Sequence, residues 1–161
     1  LPETGMKMKI YRAFAAAFAA LFLLSACGDP VSDARDSFER ASFAAARVNA
    51  AKEYTRANKV NADIEKILDR ACNASIEALI DALKAAQAAA TAPTKYAAKQ
   101  RAADVRNAAA TVKAAAKIAE ATVLSVYPGY NADDSFTAYL KKLKKSNASN
   151  ADETGCVPAF D

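Results

Sequence analysis

Residues 94–127 read TKYAAKQRAADVRNAAATVKAAAKIAEATVLSVY. Within them Ala98, Ala102, Val105, Ala109, Val112, Ala116, Ala119, Val123 and Val126 recur in alternating steps of four and three residues. This spacing keeps one stripe of an α-helix facing its neighbours, for about four heptads. A half-buried strand would repeat every second residue instead. The stripe is built of alanine and valine, so neighbouring helices can approach closely, and Tyr127-Pro128-Gly129 ends the run. The stretch sets the fold class as all-α.

Working backwards, Pro93 closes the preceding segment, and no glycine or proline occurs from Val31 to Ala92. That exceeds the usual globular helix of about 8–20 residues. A division is expected near Asn58–Asn61, where Asn61 is a good N-cap with Asp63 in the first turn behind it. The first helix then spans about 33–58, capped by Ser32 or Asp33, with Phe38, Ala41, Ala45 and Val48 as its apolar stripe. In the second, Ile64, Ile67, Leu68, Ala71, Cys72, Ile76, Leu79, Ile80 and Leu83 recur at helical steps up to Pro93. The alternative is one undivided helix of nearly 60 residues in an extended coiled coil.

Beyond Gly129, Asp133 or Asp134 caps a short fourth helix. Phe136, Tyr139, Leu140 and Leu143 form its apolar side, and Lys141, Lys142, Lys144 and Lys145 end it, complementing the helix dipole. The tail 146–161 is polar. Three helices of similar length, each about 40–50 Å at 1.5 Å per residue, suit an Ala-rich antiparallel three-helix bundle with the short fourth helix added.

Composition agrees. Of 161 residues 43 are alanine, the strongest helix former, against 4 glycines and 5 prolines. After residue 26 the chain holds only 23 Val, Ile, Leu and Phe, so the core is thin. A low share of these residues marks disorder when net charge is high. The formal charge is only +4, so residues 33–145 are expected to fold.

The same counts narrow the chemistry. There is no histidine, which excludes a Ser-His-Asp triad and a histidine-ligated metal, and three cysteines cannot close a cysteine-only zinc site. No phosphate-cradling glycine motif occurs. The acidic pairs Asp33/Asp36, Asp133/Asp134 and Asp152/Glu153 read as caps or solvated loops. No enzyme, cofactor or metal site is expected, and the small mixed charge gives no nucleic-acid footprint. Two features are candidates for a binding surface. One is the lysine cluster Lys141, Lys142, Lys144 and Lys145, which suits anionic headgroups or an acidic partner or is a solvated helix end. The other is the trio Tyr127, Tyr130 and Tyr139, which forms a contact surface or closes the end of the bundle.

The N-terminus carries an address. Leu1-Pro-Glu-Thr-Gly5 matches the sortase motif LPxTG, but it precedes the start sites Met6 and Met8. We read 1–5 as a tag remnant or upstream translation and leave it out of the fold. Lys7, Lys9 and Arg12 then form a basic region, and Ala13–Leu24 is an unbroken apolar run. That run is too short to span a bilayer comfortably and has the length of a signal-peptide core. Leu24-Ser25-Ala26-Cys27 follows.

This arrangement resembles the bacterial lipoprotein signal with its lipobox. The resemblance covers residues 6–28. It implies that Cys27 receives a diacylglyceryl group, that signal peptidase II removes residues 6–26, and that acyl chains then hold the protein on a membrane. An ordinary secretory signal with Cys27 left free, or an uncleaved anchor, is the alternative. Gly28 rather than Asp directly after the cysteine favours the outer membrane, facing the periplasm, although Asp29 follows one residue later. Residues 27–32 would be a tether, and the net charge of the remaining chain falls to +2.

With Cys27 lipidated, Cys72 and Cys156 remain. An even pair in an exported protein reads as a disulfide that pins the tail to the second helix, contributing about 3–5 kcal/mol. The expected function is a lipid-anchored, non-enzymatic module that binds an envelope protein. In size, anchor and helicity alone the chain resembles secretin pilotins and phage or plasmid exclusion lipoproteins. The alternative is a structural coiled-coil spacer of the envelope, which would be an oligomer. The chain ends in Ala-Phe-Asp rather than the lysine that the spacer family joins to peptidoglycan.

Overall fold

A computed structural model describes residues 29–145 and Cys156. The segments assigned to 1–5 and to the signal peptide 6–26, the lipidation site Cys27, and the tail 146–161 except Cys156 lie outside the described residues. Four helices follow one another: α1 (Pro30–Asn58), α2 (Ala62–Ala90), α3 (Lys95–Val126) and α4 (Ala132–Lys145). The first three form an up-down-up bundle, and α4 packs on α1.

Ion pairs reveal the register. Asp33 pairs with Arg106, and Arg47 with Glu120 at 2.5 Å. Both pairs are 73 residues apart, so α1 and α3 run parallel. Lys52 reaches Asp69 at 2.6 Å and Glu65 at 3.7 Å, so α2 runs back against α1.

The division falls where the two asparagines stand. Lys59 has φ of 50°, a left-handed conformation costly for a residue with a Cβ. Asn61 then caps α2, its side chain accepting from the Ile64 N–H at 2.9 Å. Thr94 caps α3 in the same way, accepting from Ala97 at 3.1 Å.

Two expected caps need correction. The first helix begins at Pro30, not Asp33, with Asp29 as its N-cap residue, and Asp29 makes no side-chain cap bond. Proline favours the first helical position because its missing N–H has no helical partner there. The tether expected over 27–32 is therefore shorter, since Pro30, Val31 and Ser32 are helical. At α4 neither Asp133 nor Asp134 is the cap. The Asn131 carboxamide oxygen accepts from both of their N–H groups, at 3.0 and 3.1 Å. The two aspartates sit in the first turn, where their charge still favours the dipole.

The core is mostly alanine. Phe38, Val48, Leu68, Val105, Val112 and Val123 are its largest fully buried apolar side chains. On α3 the heptad stripe faces inward, except that Ala109 is half-buried and Val126 exposed at the helix end. On α2 the buried line is Leu68, Ala71, Cys72, Ser75, Ala78, Ala82, Ala86 and Ala89. Ile64, Ile76, Leu79 and Leu83 flank that line, half-buried against the core, and Ile67 is exposed. Small residues take the centre because the helices lie close, and the larger ones cover the gap from its edges.

Candidate functional site

The candidate site lies where α4 packs on α1. α1 presents Phe43 and Arg47 one turn apart, and α4 presents Phe136 and Leu140, also four residues apart. Phe43 and Phe136 meet edge to face, with ring centroids 6.4 Å apart. The Arg47 guanidinium stands 5.3 Å from the Phe136 ring centre, a cation–π distance. The same guanidinium binds Glu120 at 2.5 Å and Asp133 at 2.9 Å, joining α1, α3 and α4. The Glu120 hydrogen bond is the main reason its pKa is raised above the usual arginine value; burial works against this. Arg47 therefore stays charged.

Beside this junction, Glu39, Ser42, Phe43, Ala46 and Leu140 line an open, chiefly apolar groove. Phe43 is 59 % exposed there. Among the described residues Phe43 is the one large hydrophobic side chain of α1 that is exposed, which leaves its ring available to a partner's apolar side chain. Lys144, one turn beyond Leu140 on α4, is exposed, as are Lys141 and Lys145.

The tyrosines serve the fold more than the surface. The Tyr127 hydroxyl donates toward the carbonyls of Asn58 and Lys59, at 2.7 and 2.8 Å, tying the end of α3 to the end of α1. Tyr54 packs edge to face on Tyr127 and on Tyr130, at 5.6 and 4.8 Å. Tyr130 is buried, and its hydroxyl has no hydrogen-bond partner at good geometry among the described residues. Burial raises its pKa above the ordinary phenol value, and a polar contribution from Ser135 offsets this only in part. Tyr139 is buried too, its hydroxyl accepting from Asn49 at 3.2 Å. Lys142 pairs with Glu53 of α1.

Cys72 and Cys156 form a disulfide. The Cys156 N–H donates to the Asn49 side chain at 3.1 Å, so Asn49 links α1, α4 and the tail residue. The disulfide is the pair expected from the cysteine count, but neither the Asn49 hydrogen bonds nor the Arg47 junction follows from the sequence pattern. One signal is present in it: Phe43 stands five residues after Phe38, out of step with the inward stripe. Phe136 and Leu140 belong to the apolar side expected of the fourth helix, but nothing in the sequence joins them to Phe43.

Among the described residues no group of three or more Cys, Asp or Glu is placed to hold a metal ion. Nor is any described helix long and apolar enough to cross a membrane. No protein-family model matches the chain, and no curated protein or solved structure is detectably similar to it.

Proposed function

We propose that this chain is a lipid-anchored bacterial envelope protein that binds another protein through the α1–α4 groove. The observation that carries the binding role is the groove of Phe43, Ala46 and Leu140, with a large aromatic ring left open to solvent. Lys144, one turn beyond Leu140, lies at its α4 side, and Lys141 and Lys145 are exposed elsewhere on the same short helix. The ligand that fits is an amphipathic segment with one apolar anchor and acidic flanks. Apolar contact would supply most of the affinity, and the lysines would steer the approach. Acyl chains on Cys27, as implied by the lipobox resemblance, would confine both partners to one surface and raise their effective concentration.

The test is site-specific photocrosslinking in bacterial cells. A photoreactive residue at Ser42 should give a discrete adduct, and Phe43→Asp or Leu140→Asp should abolish it while circular dichroism stays helical. Phe43 is exposed and Leu140 half-exposed, so neither change opens the core. An adduct that persists unchanged in both variants, or none at Ser42, would contradict the groove as the binding face.

A further inference from the structure

We infer that the end of the bundle formed by the first turns of α1 and α3 rests on an anionic bilayer surface, with Lys95, Tyr96 and Lys99 against the headgroups. This rests on the reading that Cys27 is lipidated. Cys27 stands only two residues before Asp29, the N-cap residue of α1. Two residues reach about 7 Å at full extension, so acyl chains on Cys27 hold this end of the bundle close to the headgroups.

What occupies that end is suited to such contact. Lys95 pairs with Asp29 at 3.5 Å, which places the start of α3 beside the start of α1. Arg106 neutralises Asp33 farther up. Lys99 has no ion pair among the described residues and is exposed, as is Arg101, which meets Asp104. Tyr96 is 72 % exposed, its hydroxyl accepting from Gln100 at 3.1 Å. An exposed tyrosine between lysines is the pattern of a membrane–water interface, where the ring sits among headgroups and the cations meet phosphate. The first turn of α3 carries no acidic residue, although acid there would favour the helix. Thus the α3 start is charged for an anionic surface and against its own dipole.

The chain has no tryptophan, so one introduced residue is a clean reporter. The protein, isolated from membranes and its acylation checked by mass, is placed in phosphatidylcholine–phosphatidylglycerol vesicles with brominated acyl chains. Tyr96→Trp is compared with Leu124→Trp, an exposed site about 40 Å away along α3. Fluorescence of the Tyr96→Trp protein should be quenched and blue-shifted, and that of the Leu124→Trp protein should not. Lys95→Gln and Lys99→Gln should each weaken the contact by about fivefold, and phosphatidylcholine alone, which removes both contributions, should weaken it more than either substitution. An acylated, vesicle-bound Tyr96→Trp protein quenched no more than the Leu124→Trp protein would overturn the orientation and leave the anchor intact. A protein without acyl chains, found in the supernatant, would overturn the anchor and the orientation with it.

Discussion

The two ends of the bundle are finished by different means. At the far end the Tyr127 hydroxyl binds the last carbonyls of α1, three tyrosine rings pack together, and asparagines cap α2 and α4. Next to it the Arg47 junction and the Asn49–Cys156 link hold α4 and the tail residue on α1. At the near end Thr94 caps α3 but Asp29 makes no side-chain cap bond on α1, and exposed ion pairs of lysine and arginine join α1 to α3. Such pairs contribute little in water. An alanine core supplies limited apolar burial, so the added cross-links gather where α4 must be held. At the near end Lys99 is exposed and has no ion pair among the described residues.

That contrast can be broken from the far side first. Replacing both bridging cysteines, Cys72→Ala with Cys156→Ala, should lower the unfolding free energy by about 3–5 kcal/mol in urea titration. Amide exchange should quicken most in α4 and around Asn49, and least in the first turn of α3. Uniform acceleration along all helices would erase the distinction between the ends.

Arg47→Met should cost about 1–3 kcal/mol. It leaves Glu120 without its cation, but both groups keep some contact with water, so the loss stays below that of a fully buried pair. The loss should exceed that of any single ion-pair change at the near end, measured by the same titration.

Tyr130 gives a pH signature. Its pKa is raised in the folded protein, so folding favours the neutral phenol. The contribution is fully present below the unfolded value of about 10 and is lost as pH rises through the folded value. Tyr130→Phe should flatten stability against pH in that alkaline range. It should cost little at neutral pH, because the hydroxyl has no well-formed hydrogen bond to lose among the described residues.

Lys95→Gln with Lys99→Gln should change stability least, by about 0.5 kcal/mol or less, as expected of exposed charges.

The sequence discloses these regions unequally. The α3 seam is legible almost residue by residue, because an unbroken four-three alternation admits one inward face. The α1–α2 break is legible from Asn58 and Asn61. On α2, hydrophobicity points to Ile76, Leu79, Ile80 and Leu83, but the centre goes to alanines and Ser75. Distance between helices, not apolar character alone, decides what fits there, and distance is a tertiary property. The caps at Asp29 and Asn131 lie a few residues from the expected ones because several cap-forming side chains stand together. The Arg47 junction and the Phe43 groove depend on how α4 crosses α1, which no local pattern states.

We propose a disulfide-tied helical bundle held to the envelope by lipid on Cys27. Its most direct test is the intact mass of the protein extracted from bacterial membranes without reductant, beside a Cys27→Ala control. The expected mass is that of Cys27–Asp161 plus acyl chains, less the two hydrogens of the Cys72–Cys156 bond. A mass that keeps residues 6–26, or carries no lipid, would contradict it.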